Sequence, residues 1–362
     1  MALQTSGAIS LNQIHVEAGG SSGSQASLND SDIRGLIGKG SGSQMRFSEW
    51  YGAANEVTLT SGGTVNGQNQ RKQILASSFV SSGGTLVIPS NMWIWSDSTS
   101  VAALTIDVSC TIQNSGKIIG RGGNGGTAQS GGQAGGGGGA AIKINSGVSG
   151  VTIQNLSGGY IAGGGGGGAG GNGYGGASSG NTAAAGGGGG AGGGNGGTGS
   201  HVNYTSGTTG YGTSGLTIGN CGGGTLNAKG ANGTVCGRTL GVPVDDLGFG
   251  GQAGGTGGSF NGVGSNPQYA GGGGGGGRIL PGVRQNRLNR NLAGRGGYGG
   301  AANESGQNAG GNVSYKGGGG GGGWGAAGGN ASSVSGGAAG KAINDSGVSY
   351  SLSNSGAIYG GT

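Results

Sequence analysis

Short segments in which apolar and polar residues alternate recur along this chain, and this pattern predicts β-strands. The first group lies between residues 55 and 118, with Ser, Gly and Asn turns between its members. Its predicted strands are Val57–Thr60, Gln73–Ala76, Gly84–Pro89, Met92–Trp95 and Leu104–Val108. The pattern therefore predicts a compact β-rich domain over residues 55–118.

One apolar motif occurs three times, at residues 108–120, 148–163 and 348–360. Each copy begins with Val-Ser, contains an Asn followed closely by Ser-Gly, and has alternating apolar residues on both sides. Asn-Ser-Gly favours a turn, and the alternating residues favour short strands with one buried face. A flexible linker does not require a repeated apolar motif. The motif predicts that the glycine-rich blocks it brackets belong to a folded scaffold.

Helix signals are confined to residues 1–54. The predicted helical segments are residues 11–18 after an N-cap at Ser10, a helix ending near Gly38 after Asn29 or Asp30, and a turn at residues 48–51. These pieces are too small to build a large core. We expect a small helical module that docks on another structure.

Glycine accounts for 108 of the 362 residues, and much of it lies in uninterrupted runs. The absence of a strict Gly-X-Y period, together with only four prolines, excludes collagen. Disorder is the alternative for residues 119–340. Flexible linkers usually mix Gly with Ser, however, and this chain has runs of five to seven glycines. The runs are residues 135–139, 163–168, 186–190, 271–277 and 317–323.

An uninterrupted glycine run suits the left-handed extended helix with polyproline II geometry, which has three residues per turn. Glycine loses much backbone entropy on ordering and has no side chain to bury. Dense hydrogen bonding between the backbones of many adjacent runs must therefore stabilise such a body. We expect a rigid polyglycine II helix bundle or sandwich over residues 119–362, bracketed by short β-strands.

Composition and motifs exclude several function classes. The net charge of +6 is mild, and two Arg-Gly-Gly segments are too few for an RNA-binding array. No stretch approaches the length of a membrane span, and the N-terminus lacks the features of a secretory signal. The three cysteines, Cys110, Cys221 and Cys236, do not make a disulfide framework. No nucleotide, zinc or paired-carboxylate motif stands out, so we expect no enzyme, metal or cofactor.

Two parts of the chain resemble bacteriophage tail proteins. Residues 6–53, which include Leu11-Asn-Gln-Ile-His-Val-Glu-Ala18 and Phe47-Ser-Glu-Trp-Tyr51, are similar to an opening segment shared by many tailed-phage tail proteins. The glycine-rich pattern of residues 108–362 resembles the tail-fibre adhesins of T-even-like phages, whose distal domain is a polyglycine II sandwich with variable loops at its tip. Those adhesins do not open with the segment found here.

This resemblance implies that receptor binding belongs to the segments that interrupt the glycine runs, since a bare glycine surface offers no selectivity. The interruptions are residues 200–218, 238–249, 259–269 and 278–295. The candidate receptor-binding residues are His201, Tyr204, Tyr211, Phe260, Tyr269, Arg284, Arg287 and Arg290. The aromatics suit a binding hot spot, and the arginines suit phosphate or acidic sugar. A solvated, solubilising loop is the alternative for the arginines.

Aromatics next to glycine blocks have a simpler interpretation, which is that they cover the edge of the scaffold. Tyr160, Tyr174, Tyr298 and Trp324 are of this kind.

The resemblance implies a virion protein of the tail fibre or tail tip, assembled in the host cytoplasm. It would bind an outer-membrane protein or lipopolysaccharide through its loops, and other tail or fibre proteins through residues 1–54. We expect no nucleic-acid partner. A purely structural spacer or tip cap is the main alternative, and an ice-binding or RNA-binding glycine-rich protein is another. The irregular loops argue against ice binding, which needs a flat, regular array of Thr or Ala.

Overall fold

In the computed structural model the chain is rich in strands and has few helices. The structure describes residues 3–65, 68–127, 131–171, 182–184, 186–195, 197, 200–205, 208–210, 304–306, 308, 318–331 and 333–362.

The N-terminal segment is helical where the sequence predicts it. Helix α1 (Leu11–Glu17) begins with a capping box, in which Ser10 Oγ accepts from the Gln13 backbone N–H and Gln13 Oε1 accepts from the Ser10 N–H. Helix α2 (Ser31–Gly35) follows Asp30, and a 3-10 turn covers Phe47–Trp50. Ile14, Ile33 and Trp50 form a small core of their own.

Most strands belong to a three-sided parallel coil. Its first, incomplete turn contains β1 (Glu56–Thr58), β2 (Thr64–Val65) and β3 (Gln68–Lys72). Four complete turns follow, each with one strand per side. The first complete turn is β4 (Ile74–Leu75), β5 (Gly84–Ile88) and β6 (Met92–Trp95), and the second is β7 (Leu104–Ile106), β8 (Cys110–Asn114) and β9 (Lys117–Ile119). The third turn is β10 (Ile142–Ile144), β11 (Val151–Asn155) and β12 (Tyr160–Ala162). Three strands outside the coil, β13 to β15, follow at residues 182–210, and the last turn is β16 (Ile343–Asn344), β17 (Tyr350–Asn354) and β18 (Ala357–Tyr359).

Equivalent strands of successive turns pair in parallel and in register, which builds three sheets. The five-stranded sheet has the order β1-β5-β8-β11-β17, the four-stranded sheet β16-β10-β7-β4, and the six-stranded sheet β18-β12-β9-β6-β3-β2. Only the β2–β3 hairpin at the edge is antiparallel in these three sheets. The three copies of the apolar motif occupy the last two sides of successive turns.

The core of the coil is a set of stacked inward-facing side chains. In the five-stranded sheet Leu86, Ile112 and Ile153 stack in register and are fully buried, and Leu352 continues the stack at the open last turn. One cluster of buried side chains extends from Leu59 to Ile343, and it contains residues from both sides of position 118. This burial is the main stabilising force that the coil has.

An asparagine ladder lies at one corner of the coil. Asn114 Nδ2 donates to Asn155 Oδ1 at 2.8 Å, and Asn155 Nδ2 donates to Asn354 Oδ1 at 2.8 Å. Asn114 and Asn155 are buried, so these side-chain bonds satisfy amides that would otherwise be costly to remove from water. The Asn of the repeated motif therefore fixes the register between turns as well as the local Asn-Ser-Gly turn.

The glycine runs lie side by side around one central run, residues 163–171, which is buried throughout. Six neighbouring segments hydrogen-bond to it through the backbone. They are residues 120–127, 133–139, 186–191, 318–323, 326–330 and 335–341.

The hydrogen bonds of the central run repeat every three residues. Gly164, Gly167 and Gly170 donate to residues 133–139, whereas Gly165 and Gly168 donate to residues 186–191. Gly166 and Ala169 donate to residues 326–330. The carbonyl groups of the central run follow the same period. Those of Gly164 and Gly167 accept from residues 335–341, those of Gly165 and Gly168 accept from residues 120–127, and those of Gly166 and Ala169 accept from residues 318–323. Three successive residues of the central run therefore hydrogen-bond to three different pairs of neighbours, and the fourth residue returns to the first pair.

Each of these runs has one of its two ends at the same corner of the coil. Residues 120–127 leave directly after β9, residues 163–171 leave directly after β12, and the returning segments lead into β10 and β16. The bundle consequently projects from the corner between the six-stranded and four-stranded sheets. We call its opposite limit, remote from the coil, the far end of the bundle.

Sequence patterning located eleven strands of the structure but missed β2, β3, β10 and β13 to β16. The sequence around Gln68–Lys72 is polar, so it lacks the alternation that marks a half-buried strand. The predicted strand at residues 73–76 is shorter than expected because Ala76–Ser78 forms a 3-10 turn.

Candidate functional site

The far end of the bundle carries the first of the interrupting segments. Residues 186–191 approach the central run with Gly188 nearer the far end and Ala191 nearer the coil, because these carbonyls accept from Gly168 and Gly165 respectively. Strand β13 (Thr182–Ala184) precedes this segment and therefore lies at the far end. It pairs antiparallel with β14 (Ser200–Thr205), which pairs with β15 (Thr208–Gly210).

Two candidate receptor-binding residues belong to this far-end sheet. His201 is paired with Ala183, and Tyr204 is paired with Thr209. The other six, Tyr211, Phe260, Tyr269, Arg284, Arg287 and Arg290, lie outside the described residues, as do Cys221, Cys236, Tyr174, Tyr298 and the run at residues 271–277. The structure thus places the start of one predicted loop, and the assignment of all eight residues to receptor binding stays a prediction.

The bundle beneath this end has no room for side chains. A Cβ added at Gly166 would lie 2.0 Å from Gly337 O, and one added at Gly167 would lie 1.9 Å from Asn124 O. At Gly168 it would lie 1.9 Å from Gly319 O. All three are backbone atoms, so relief would require a whole run to move. Close backbone contact in three directions makes the bundle a stiff support for whatever its far end carries.

An aromatic cluster joins the bundle to the outer face of the six-stranded sheet. Trp324 is fully buried, and its ring lies 6.4 Å from Tyr160 and 5.9 Å from Tyr359. Lys117 Nζ lies 4.2 Å from the ring centre of Trp93, and burial lowers the pKa of this lysine. The interpretation of Tyr160 and Trp324 as covering the scaffold edge agrees with these contacts, which fix the base of the bundle on the coil.

The helical module touches the coil at the start of β5. Glu17 Oε1 accepts from the Asn55 backbone N–H at 3.1 Å, and Gly19 lies so close to Ser82 O that an added Cβ would be 2.2 Å away. Gly19 also has φ +97°, a conformation that favours glycine. On the module's surface, Lys39 Nζ lies 2.8 Å from Glu49 Oε1, and this partner lowers the pKa of Glu49.

The described residues offer little catalytic chemistry. Among them no group of three or more His, Cys, Asp or Glu side chains is placed to hold a metal ion, and no helix is long and apolar enough to cross a membrane. Burial, together with nearby Asp107, raises the pKa of the Cys110 thiol to about 11, which leaves it protonated and a poor nucleophile at neutral pH. The arrangement is suited to presenting surfaces for binding.

Two features of the coil escaped sequence reasoning. One is the asparagine ladder, and the other is the pair of outward rows of Thr and Gln on the five-stranded sheet. Aligning Cys-Thr-Ile-Gln-Asn114 with Val-Thr-Ile-Gln-Asn155 would have shown both, because Thr, Gln and Asn occupy the same positions in the two copies.

Comparison with known proteins identifies a family. Residues 56–269 match the family described as phage tail fibre adhesin Gp38, which confirms the resemblance of the glycine-rich part to tail-fibre adhesins. The chain is also similar to a chain of the gp37–gp38 adhesin tip complex of the long tail fibre of bacteriophage S16, with 18% identity, 99% of each chain covered and a TM-score of 0.35. No curated protein matches.

Proposed function

Because this chain belongs to the phage tail fibre adhesin Gp38 family, we propose that it is the adhesin at the tip of a tail fibre and that it binds a receptor on the bacterial outer surface. The supporting observation is the far-end position of β14, where the first interrupting segment begins. A stiff bundle holds this segment away from the coil. The proposed receptor is an outer-membrane protein or lipopolysaccharide, and the proposed location is the virion, on the tail fibre.

The glycine bundle is proposed to consist of polyglycine II helices. Support comes from the three-residue period of its hydrogen bonds and from the six neighbours of the central run. The central glycines Gly163 to Gly168 also avoid positive φ, as the polyproline II conformation requires. Slow amide exchange through Gly163 to Gly168 is the expected result, since every one of these amides is hydrogen-bonded and buried. Rapid exchange there would contradict the helical bundle.

The proposed division of labour follows the chain. Residues 1–54 form the virion-docking module, residues 55–118 form the β-rich domain that begins the coil, and residues 119–362, which complete the coil and carry the bundle, form the receptor-binding domain. The separate core of the helical module and its few contacts with the coil support an independent role for it. A protein that lacks residues 1–54 should still bind host cells but should fail to join phage particles. Normal incorporation of the truncated protein would contradict the docking role.

Receptor contact is proposed to involve His201, Tyr204, Tyr211, Phe260, Tyr269, Arg284, Arg287 and Arg290. The aromatics would supply contact area, and the arginines would attract the tip to an anionic surface. Purified protein should block phage adsorption, and Tyr204→Ala, Tyr211→Ala or Tyr269→Ala should weaken this block. Charge reversal of the three arginines should slow binding most at low ionic strength. Tyr51→Ala, in the helical module, is the matched control.

A structural spacer without host contact is the competing function. It predicts that purified protein does not compete with phage for host cells at any concentration. Blocking by wild-type protein together with its loss in the tyrosine variants would exclude the spacer. Unchanged blocking in all loop variants would remove receptor binding from these residues. We propose that the protein acts by binding alone, without catalysis, in keeping with its family.

A further inference from the structure

The outer face of the five-stranded sheet carries two regular rows of side chains, most of them neutral and polar. Along β5, β8 and β11 the inward residues are buried and the alternate outward residues are half-buried. Because the strands pair in register, outward residues line up across the sheet. The first row is Thr85, Thr111, Thr152 and Ser351, and the second is Val87, Gln113, Gln154 and Ser353. We call these eight residues the Thr/Gln face. Edge strand β1 extends the two rows with Glu56 and Thr58, so one carboxylate borders the face.

The polar groups of the Thr/Gln face have no partners within the described part of the chain. No side-chain hydrogen bond is formed there by Thr111, Thr152, Gln113 or Gln154, whereas Asn114 and Asn155, at the ends of the same strands, are paired. Each hydroxyl or amide can both donate and accept. Neighbouring strands lie about 4.8 Å apart, so the rows form a grid of hydrogen-bonding groups that is interrupted at Val87 and bordered by the carboxylate of Glu56.

The position of this face is opposite to the bundle. Glycine runs leave and re-enter the coil only at the corner between the six-stranded and four-stranded sheets, and in a three-sided coil the five-stranded sheet is the side across from that corner. The Thr/Gln face therefore looks away from the far end. If the protein meets the host through its far end, the Thr/Gln face points back toward the virion.

The face also adjoins the helical module. Residue Asn55, which accepts from Thr85 N–H and donates to Glu17, directly precedes β1 at the edge of the sheet. Gly19 of the module meets Ser82, two residues before β5. A single partner could therefore contact the module and the Thr/Gln face together.

We propose that the Thr/Gln face is a fibre-docking surface, occupied by a fibre protein of the same phage that supplies complementary neutral hydrogen-bonding groups. This inference rests on the proposed role as a fibre-tip adhesin. The location favours a virion protein over the host receptor, and the absence of Lys and Arg from both rows disfavours a phosphate-rich surface. Docking through neutral groups should depend little on salt, in contrast to receptor binding through arginines.

Charged substitutions on the face test the proposal. Thr111→Glu and Gln154→Glu place a carboxylate in each row without touching the core, and Thr105→Glu makes the matched change on the outer face of the four-stranded sheet. Phage that lack this chain would be grown on cells that supply each variant, and the amount per purified particle would be measured by immunoblotting. Each purified variant would also be tested for blocking of adsorption.

The expected result is a loss of about tenfold or more in incorporation for the face variants, because docking would bury an unpaired charge. The Thr105→Glu protein should be incorporated normally, and all three purified proteins should block adsorption as the wild type does. Wild-type incorporation of both face variants would overturn the proposal. Loss of blocking by correctly folded face variants would also overturn it, by assigning the face to the host receptor. Wild-type incorporation of the face variants would leave the receptor role of the far end untouched, because the loop variants test that role separately.

Discussion

Gly167→Ala should destabilise the bundle far more than a glycine substitution normally does. Gly167 is buried in the central run, where its N–H donates to Gly136 O at 2.8 Å and its carbonyl accepts from Gly337 N at 2.7 Å. An added Cβ would lie 1.9 Å from Asn124 O and 2.4 Å from Asn124 C. No flexible side chain is available to move aside, because both contacts are backbone atoms.

The magnitude follows from the displacement that the new methyl group requires. Ordinary contact begins near 3.4 Å, so the run at residues 120–127 and the central run must separate by roughly 1.5 Å. A shift of that size breaks the two hydrogen bonds that join these runs beside Gly167, from Gly123 N–H to Gly165 O and from Gly126 N–H to Gly168 O, and each buried group left unpaired costs about 1–3 kcal/mol. Alanine lowers the entropy of the unfolded chain, which offsets about 0.4–1 kcal/mol. We expect a net destabilisation of about 2–5 kcal/mol.

Gly137→Ala is the matched control within a neighbouring run. Gly137 is exposed, its φ is not positive, and the nearest atom to an added Cβ is Ala338 O at 3.8 Å. Alanine fits there, so only the unfolded-state effect remains, and we expect stabilisation of about 0.4–1 kcal/mol. The two substitutions are chemically identical, and they differ only in where the methyl group points.

Equilibrium unfolding in guanidinium, followed by circular dichroism, measures both variants against the wild type. If unfolding proves irreversible, unfolding rates at one denaturant concentration give the same ranking. Amide exchange of the glycines reports whether the loss is local to the bundle. Equal stability of Gly167→Ala and Gly137→Ala would refute the account of a central run enclosed by backbone on all sides.

Two further predictions concern the coil. Asn155→Ala removes the middle of the asparagine ladder, and with it the bonds from Asn114 Nδ2 and to Asn354 Oδ1. We expect the unfolding free energy to fall by about 2–4 kcal/mol. Asn354→Ala, at the exposed end of the ladder, should lower it less. For Cys110 the folded pKa of about 11 exceeds the ordinary value of 9.0, so the native state holds its proton longer than the unfolded state does. Stability should therefore fall as pH rises from about 9 to about 11, and the fall should be smaller in Cys110→Ala, measured by unfolding midpoints across this range.

Local signals in the sequence predicted local structure well. Ser10 and Gln13 supply a complete capping box, and the helix begins where they place it. The alternation in the repeated motif predicted its strands, because one buried face needs a two-residue period. Neither signal says which strand pairs with which, since parallel pairing depends on residues far apart in the chain. The neighbours of a glycine run are equally hidden, because all glycine runs look alike in sequence.

The candidate site was harder to predict for a related reason. The aromatic and arginine residues are predicted to bind because they lie in segments that interrupt the glycine runs. The structure places two of them, His201 and Tyr204, in the far-end sheet, and their role in binding stays a prediction. The Thr/Gln face passed unnoticed because Thr and Gln on one strand carry no signal. Only the stacking of copies in register turns them into an array.

The coil can accommodate large differences in the length of the segments that leave it. The excursion between β9 and β10 has about 22 residues, whereas the one between β12 and β16 is roughly eight times as long, yet both begin and end at the same corner. By the loop-closure relation, an eightfold longer excursion adds only about 2 kcal/mol of entropic cost. The last turn, β16 to β18, still finds its register on β10 to β12 through the core stacks and the asparagine ladder. The interrupting segments can therefore lengthen or change within the long excursion, while the sheets of the coil, including the Thr/Gln face, keep their shape.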